Sequence, residues 1–165
     1  MINVRHIIEN DFNEITKILN YYILNSDARY FESEPVSLIN RSTWLHTFSQ
    51  ETPYQMLVAI NNNEISGFCC SQRYRPEAAY NKTVEVSVYT SPKSTSAGIG
   101  TALYHELFAS LEPFSLHRAI AGIALPNNAS IALHRKFNFK EVGIFDEYGM
   151  KNGKYISAIW LQKQL

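Results

Sequence analysis

The sequence predicts a protein that mixes helices and strands, of the α+β or mixed α/β class. Short β-branched segments that follow one another through tight turns indicate hairpins, and four segments with apolar residues at helical spacing lie among them. No repeat, low-complexity tract or linker divides the chain. We therefore expect one domain over residues 1–165, long enough to bury a proper core.

The N-terminal half is predicted to contain a strand, two helices and a hairpin. Asn10 is the predicted N-cap of the first helix, because apolar residues recur at helical spacing after it. The hairpin turn is Asn61-Asn62-Asn63, and asparagine tolerates the positive φ that a tight turn demands. In chain order the elements are a strand over residues 4–8, the helix that follows Asn10, a helix over about 37–48, and strands over 56–60 and 64–71.

The C-terminal half is predicted to alternate strands with helices and to end in a second hairpin. Its turn is Asn152-Gly153, a pair that two-residue hairpin loops favour. Before it comes a loop over residues 73–81 that is rich in charge and tyrosine. The remaining elements are a strand over 83–90, a helix that reaches residue 111, a strand over 118–124, a helix over 129–137, and strands over 141–147 and 154–161.

Composition and charge exclude several classes of protein. The 15 Lys and Arg residues balance 15 Asp and Glu residues, so no net field favours nucleic acid. The first residues lack a signal-peptide pattern, and the apolar runs are too short to span a bilayer. Cys69 and Cys70 are adjacent in a predicted strand, so they point to opposite faces and match no metal site. We expect a cytoplasmic protein without nucleic-acid, membrane or metal partners.

The segment after the strand over residues 83–90 is the most informative part of the chain. It contains Gly98 and Gly100 among small residues and leads directly into a helix. Small residues let backbone N–H groups approach a ligand closely, and a helix N-terminus adds about half a positive charge, so a pyrophosphate fits there. A tight connection without a ligand is the other explanation, and the two glycines alone do not decide between them.

Phosphate-binding loops differ in the residues that they require. A P-loop needs Lys and then Ser or Thr after its last glycine, whereas Gly100 is followed by Thr101-Ala102. A dinucleotide loop needs a third glycine, whose place Leu103 takes, and an acidic residue near position 120, where none stands. The loop that binds acetyl-CoA, in which a strand leads into a tight turn that opens a helix, is the third option.

A second motif favours the acetyl-CoA loop. Residues 125–139 (LPNNASIALHRKFNF) follow a predicted strand and open a helix, and they resemble the second signature of the GNAT N-acetyltransferases. Further segments make the chain similar to the phosphinothricin and methionine sulfoximine acetyltransferases of that family, over residues 4–162. These segments are Phe31-Glu-Ser-Glu-Pro35, Arg41-Ser-Thr-Trp44, Ala79-Tyr80, Thr83-Val-Glu85, Val88-Tyr89, Leu103-Tyr104 and Tyr148-Gly-Met-Lys151.

The resemblance implies a fold, a cofactor and a reaction. The GNAT fold has a mixed, mainly antiparallel central sheet flanked by helices, in which two neighbouring strands splay apart and admit acetyl-CoA. The implied activity is direct transfer of acetyl from acetyl-CoA to the primary amine of a small molecule, an amino acid or an amino-acid analogue. A non-catalytic acyl-CoA-binding sensor module and a peptide or protein N-acetyltransferase are the alternatives. Because similar proteins form homodimers, a homodimer is also expected.

Glu85 and His134 are the predicted catalytic residues. Glu85 shares one face of its strand with Ser87 and Tyr89, and a carboxylate in a partly apolar cleft has a raised pKa that suits a general base. A solvated glutamate at an edge is the plain alternative. His134 lies one turn after Ser130 and takes the place of the usual GNAT tyrosine. The resemblance implies that it acts as acid or base or orients the substrate; a satisfied structural histidine is the alternative.

The other predicted site residues bind the cofactor or the acceptor amine. The strand is expected to offer main-chain groups to the acetyl and pantetheine parts, and the glycine loop is expected to hold the pyrophosphate. The predicted cofactor residues are Val86, Ser87, Val88, Tyr89, Ser94, Thr95, Ser96, Ala97, Gly98, Ile99, Gly100, Thr101, Asn127 and Ser130. Asn127 is equally well explained as a helix N-terminal residue. The predicted acceptor residues are Arg41, Arg75 and Tyr80.

The chain departs from the family pattern in two places. The loop usually carries Gln or Arg followed by Arg, where this chain has Thr95 and Ser96, so it lacks a bidentate cation and relies on backbone amides. An arginine usually stands three residues before the tyrosine of Ala-Tyr, and Glu77 takes its place. We therefore expect weaker cofactor binding, with help from Lys93, and a poor fit for phosphinothricin unless Arg75 takes over.

Overall fold

The computed structural model describes residues 2–94 and 98–165. Within these ranges the chain forms seven β-strands and four α-helices, with short 3-10 turns between some of them. The strands are β1 (Asn3–His6), β2 (Met56–Asn61), β3 (Glu64–Arg73), β4 (Thr83–Thr90), β5 (Arg118–Ala124), β6 (Lys140–Lys151) and β7 (Lys154–Gln164). The helices are α1 (Phe12–Asn25), α2 (Leu38–Leu45), α3 (Ile99–Leu111) and α4 (Asn128–Lys136).

The seven strands form one mixed sheet in the order β1-β2-β3-β4-β5-β7-β6. All neighbouring pairs are antiparallel except β4 and β5, which are parallel. Pairing between these two strands runs only from Thr83–Arg118 to Glu85–Ile120, although β4 continues to Thr90 and β5 to Ala124. The predicted fold class is therefore confirmed, including the pair of central strands that splay apart.

The sheet buries apolar side chains on both faces, as strand alternation requires. On one face, α1 and α2 pack against the sheet through a cluster that contains Ile15, Leu19, Leu45, Val58, Phe68 and Cys70. On the other face, α3 packs through a cluster that contains Leu103, Leu107, Leu57, Cys69, Val84 and Val86. Each such side chain stabilises the fold by roughly 1.5–3 kcal/mol through burial. The two cysteines lie in different clusters as free thiols, so the prediction of opposite faces is confirmed.

Both predicted hairpin turns form, and their residues have the backbone conformation that the turns need. Asn62 and Asn63 have φ of 51° and 64° between β2 and β3. Asn152 and Gly153 have φ of 49° and 77° between β6 and β7. Two consecutive residues with positive φ match the right-handed twist of the flanking strands. Among the helices that the structure describes, every one is too short or too polar to cross a bilayer.

The predicted start of the first helix is wrong. Asn10 lies inside a 3-10 turn (Glu9–Asp11), and Asp11 rather than Asn10 directly precedes α1. The Asp11 carboxylate accepts a hydrogen bond from the Ile8 N–H at 2.9 Å and pairs with Arg5 at 2.6 Å. This charged pair between the turn and β1 outweighs helix capping by Asn10, because a buried carboxylate needs its partners.

The second helix also ends earlier than the sequence predicts. It begins after Ser37, whose hydroxyl accepts a hydrogen bond from the Asn40 N–H at 3.3 Å. It ends at Leu45 instead of residue 48, because the Thr47 and Phe48 amides bond to carbonyls three residues back. Such bonds tighten the chain into a turn that leaves the α-helical path.

Candidate active site

A narrow cavity opens where β4 and β5 stop pairing. We call it the strand cavity; its volume is about 50 Å³. It is lined by Ala28, Val86, Ser87, Val88, Tyr89, Ala121, Gly122, Ile123, Ala124, Asn127, Ser130 and His134. Since β4 pairs with β3 along its other edge, the peptide groups of Val86 to Tyr89 that face β5 belong to no ladder. They can bind an extended amide-containing ligand as a further strand would.

A larger cavity continues from the strand cavity to the N-terminal ends of α3 and α4. We call it the helix cavity; its volume is about 410 Å³. It is lined by Tyr22, Ala28, Val88, Tyr89, Thr90, Gly98, Gly100, Thr101, Asn127, Ala129, Ser130 and Leu133. Five of these residues also line the strand cavity, so the two are parts of one cleft.

The start of α3 is shaped by its glycines. Gly98 precedes the helix with φ of +89°, a left-handed conformation that glycine adopts without strain. A Cβ on Gly100 would lie 2.8 Å from Cδ2 of Leu133, so glycine allows α3 and α4 to approach each other closely. The first N–H groups of α3 have no partner inside the helix, and Gly98, Gly100 and Thr101 at this end line the helix cavity, where an anion would be stabilised.

Asn127 has two roles that the sequence presented as alternatives. Its Oδ1 accepts a hydrogen bond from the Ser130 N–H at 3.1 Å, so it is the N-cap of α4. It also lines both cavities. The cap therefore fixes this amide side chain at the wall of the cleft.

Glu85 lies at the point where the two central strands separate, because it is the last residue of β4 that pairs with β5. Val84 and Val86 are buried in the cluster under α3, so the Glu85 side chain is on the α1 and α2 face, as alternation predicts. It is half-buried, and burial raises its pKa. Within residues 2–94 and 98–165, no group donates a hydrogen bond to its carboxylate, which can therefore accept a proton or an ammonium group.

His134 is buried and hydrogen-bonded through both ring nitrogens. Nδ1 lies 2.7 Å from the Ser130 carbonyl oxygen, an acceptor only, so Nδ1 carries the proton and donates. Nε2 then accepts a hydrogen bond from the hydroxyl of Tyr104 at 2.8 Å. Burial lowers the pKa of His134, and the ring is neutral at neutral pH. The geometry describes a fixed imidazole at the wall of the strand cavity, and its catalytic role stays a prediction.

A buried cluster of charges lies beside the cleft. Two guanidinium groups share one carboxylate: Arg29 Nε contacts Glu32, and Arg41 Nη2 lies 3.1 Å from the other oxygen of Glu32. Arg29 also lies over the Phe31 ring at 4.6 Å and near the Tyr89 ring at 6.0 Å. The two arginines and the single glutamate leave one excess positive charge next to Tyr89, which lines the cleft. Burial and the charge of Arg29 lower the pKa of Arg41.

The architecture and the cleft agree with the comparisons to known proteins. The chain matches the acetyltransferase (GNAT) domain family over residues 4–160. The chain belongs to the GNAT acetyltransferase family. It is accordingly an acyltransferase, and the predicted family and enzyme class are confirmed.

Curated relatives of this GNAT enzyme place it in the predicted subfamily. It is 38% identical over 166 residues to a phosphinothricin N-acetyltransferase of Streptomyces coelicolor, covering 99% of this chain and 96% of the relative. It is 32% identical over 156 residues to the L-methionine sulfoximine/L-methionine sulfone acetyltransferase of Pseudomonas aeruginosa, covering 94% of this chain and 90% of the relative.

Solved structures share the whole fold of this GNAT enzyme. A phosphinothricin acetyltransferase of Sinorhizobium meliloti, in complex with acetyl-CoA, superposes with a TM-score of 0.92 at 30% identity, over 99% of this chain and 88% of that chain. A ribosomal-protein-alanine N-acetyltransferase of Brucella melitensis superposes with a TM-score of 0.93 at 32% identity, over 99% of both chains. The prediction of acetyl-CoA as cofactor is confirmed by the family and by the Sinorhizobium meliloti complex.

Most predicted cofactor residues of this GNAT enzyme line the cleft, but some do not. Ile99 is buried in the core under α3, so its side chain faces away from the helix cavity. Ser94 lines a separate cavity of about 130 Å³ beside the turn over residues 61–64. Thr95, Ser96 and Ala97 lie outside the described residues.

The predicted acceptor residues lie outside the lining of the two cavities. Arg75 is exposed and lies over the Tyr74 ring at 5.1 Å, and Tyr80 makes an edge contact with the same ring at 5.3 Å. Arg41 is buried in the charge cluster, so it is not the ordinary arginine of a helix surface that its sequence context also permits. Roles of these residues in acceptor binding stay predictions.

Several residues of the site had no predicted role. Ala28 lines both cavities, and Tyr22 lines the helix cavity while its hydroxyl donates to the Thr90 carbonyl at 2.8 Å. Tyr104, on α3, holds His134. Of these, Tyr104 stands in a segment that carries the family resemblance, whereas nothing in the local sequence marks Ala28 or Tyr22.

Proposed function

We propose that this protein is an acetyl-CoA-dependent N-acetyltransferase that acts, by direct transfer, on the primary amine of a small amino acid or amino-acid analogue. The single observation that carries the proposal is the continuous cleft between β4 and β5, which runs from the N-terminus of α3 to Val86, the residue after Glu85. Such a cleft fits a ligand with an anionic end, an amide-containing arm and a reactive group at the far end.

The residues of the cleft match the three parts of acetyl-CoA in turn. The amides at the start of α3 suit the diphosphate, and Lys136 adds a cation because its Nζ lies 3.3 Å from Thr101 Oγ1. The unpaired edge of β4 suits the pantetheine amides. Acetyl-CoA supplies the acetyl group as a thioester, and N–H groups of the same edge can stabilise the charge that develops on its oxygen.

Glu85 is the proposed general base. An amino acid is an ammonium ion at neutral pH, so its nitrogen must lose a proton before it can attack the acetyl carbon. The raised pKa of Glu85, caused by burial, brings the carboxylate closer to the range in which proton transfer is efficient. His134 is proposed to orient the reactants, since both of its ring nitrogens already take part in hydrogen bonds.

The charge cluster beside the cleft supports an amino-acid acceptor. Its excess positive charge, on Arg29 and Arg41, lies on the same side of the sheet as Glu85. The charges of Arg29 and Glu85 both influence the pKa of Cys70, which burial raises to about 11. In an amino-acid substrate, the ammonium group complements Glu85, and the carboxylate complements the excess positive charge of the arginine cluster. Glu77 is exposed, and its charge opposes a second acidic group such as a phosphinate.

N-acetylation of a peptide or protein N-terminus is the second candidate. It is favoured by the similarity to the Brucella melitensis structure, a ribosomal-protein-alanine N-acetyltransferase. The two candidates differ in the size of the acceptor and in its carboxylate, which a peptide carries far from its amine.

A thiol-release assay tests the proposal. Acetyl-CoA is mixed with the enzyme and with free amino acids, methionine sulfoximine, phosphinothricin, polyamines or a peptide with N-terminal alanine. We expect release with free amino acids or the sulfoximine, and little with polyamines, which lack a carboxylate. Release with the peptide alone would establish the second candidate. Acetyl-CoA binding without release for any amine would indicate a sensor module instead.

We further propose that the protein is a cytoplasmic homodimer. The strand β6 is an edge strand of 12 residues, and long edges readily pair with another chain. Large apolar side chains on this hairpin are more than half exposed: Val142, Ile144, Phe145, Met150 and Tyr155. A second copy of the chain would bury them. The free, buried thiols of Cys69 and Cys70 suit a reducing compartment.

A further inference from the structure

Lys151 has a buried ammonium group that contacts main-chain carbonyls instead of a carboxylate. The residue is 5% exposed and ends β6. Its Nζ donates to the carbonyls of Ile23 at 2.5 Å, Ser26 at 2.9 Å and Arg29 at 3.2 Å. The first carbonyl belongs to the last turn of α1, the negative end of the helix dipole. The other two belong to residues 26–30, which we call the wall segment.

The same hairpin contacts the wall segment at three further points. The Tyr148 hydroxyl contacts the Tyr30 hydroxyl. A Cβ on Gly149 would lie 3.1 Å from two carbons of the Tyr30 ring, so the glycine lets this ring pack directly on β6. The Lys154 Nζ lies 2.6 Å from an oxygen of Asp27. The Lys151 contacts are more buried than the hydrogen bonds of Tyr148 and Lys154, and they reach the main chain. Lys151 therefore fixes the path of the segment itself.

The wall segment borders the cleft through Ala28 and lies near β4 through Arg29. Ala28 lines both the strand cavity and the helix cavity. The guanidinium of Arg29 lies 6.0 Å from the ring centre of Tyr89, on β4. The pKa of Tyr30 is raised by burial, by the contact with Tyr148 and also by the charge of Glu85, the proposed base.

We propose that Lys151 is a positioning residue of the acceptor site, which sets the place of the wall segment relative to β4. The proposal rests on the function proposed above, since it assigns the wall segment to the acceptor side of the cleft. Without the ammonium group, three carbonyls lose this donor, two of them in buried contacts, and the segment is free to move away from Glu85. Among the described residues, Lys151 lines neither cavity, and Ala28 is the one residue of the wall segment that does.

The test compares Lys151→Met with Lys154→Met. Methionine keeps the length of the side chain and removes the donors, and Lys154 is the matched control because it binds the same segment from an exposed position. For Lys151→Met we expect the KM of the acceptor to rise about tenfold or more, while kcat and the Kd of CoA change by less than about threefold. Amides of residues 24–31 should exchange hydrogen faster. Lys154→Met should behave like the wild type.

Several outcomes would overturn the proposal. Unchanged KM and unchanged exchange in Lys151→Met would show that the contact positions nothing. An equal loss of CoA affinity would show general damage instead of an effect on the acceptor side. Where Lys151→Met does not fold, Tyr148→Phe removes an outer contact with the same segment, and it should raise KM and local exchange to a smaller extent. If the wild type acetylates no amine, the proposed function fails, while the exchange measurement still decides whether Lys151 holds the segment.

Discussion

Replacement of Glu85 by glutamine should separate catalysis from both cofactor binding and stability. Glutamine has nearly the same shape but cannot accept the proton of the acceptor ammonium. A positioned general base contributes roughly 10²- to 10⁴-fold to a rate, which corresponds to about 3 to 5 kcal/mol in the activation free energy. We therefore expect kcat to fall by that factor, with an unchanged Kd for acetyl-CoA, because Glu85 lies outside the lining of both cavities.

Although the activity of Glu85→Gln should fall, its free energy of unfolding should stay the same or rise. Burial raises the pKa of Glu85, so the folded state favours the protonated carboxyl group. Protonated Glu85 contributes to the free energy of unfolding below the ordinary pKa of a glutamate. This contribution is lost as the pH rises through the raised pKa of the folded state. At neutral pH the ionised side chain therefore lowers the free energy of unfolding, and Glu85→Gln should be at least as stable as the wild type. That advantage should disappear in acid.

The assay measures thiol release between pH 5 and 9, together with thermal unfolding and calorimetric binding of acetyl-CoA. In the wild type, kcat/KM should rise with pH through the raised pKa of Glu85. In Glu85→Gln this rise should be absent. With an acceptor that carries a single carboxylate, Glu77→Gln is the matched control, since Glu77 is exposed and lines neither cavity. The reasoning is refuted if Glu85→Gln keeps kcat within tenfold of the wild type, or if Glu77→Gln loses as much activity.

Three further predictions test the walls of the cleft and the assembly. Tyr104→Phe leaves Nε2 of buried His134 without a donor, so we expect unfolding free energy to fall by about 1–3 kcal/mol and the His134 pKa, followed by NMR, to rise. Gly98→Ala and Gly153→Ala both place alanine at positive φ in open space, so both should lower the melting temperature, but calorimetry should show weaker acetyl-CoA binding only for Gly98→Ala. Ile144→Lys, on the exposed face of β6, should shift sedimentation from dimer to monomer without unfolding the chain.

Features that depend on neighbouring residues could be predicted from the sequence. Strand alternation placed Cys69 and Cys70 in different cores and Glu85 opposite the valines. The turn at Asn152-Gly153 followed from the backbone freedom of those residues. The cleft between β4 and β5 was predicted only from the family resemblance, since no local pattern says where two parallel strands stop pairing.

Features that depend on distant contacts could not be predicted. Asn10 looked like a helix cap, but the pairing of Asp11 with Arg5 of β1 decides the start of α1. Tyr104 and His134 are 30 residues apart and meet only because α4 contacts α3 in the folded chain. Lys151 reaches a carbonyl 128 residues away. A lysine near a hairpin turn is ordinarily exposed, and only the packing of the hairpin on the wall segment buries it.

A crystal structure with bound acetyl-CoA tests the central claim most directly. We expect the diphosphate at the amides that begin α3 and the pantetheine arm along Val86 to Tyr89, with the acetyl group near Glu85. Cofactor density elsewhere on the protein, or β4 and β5 closed against each other in its presence, would contradict the account.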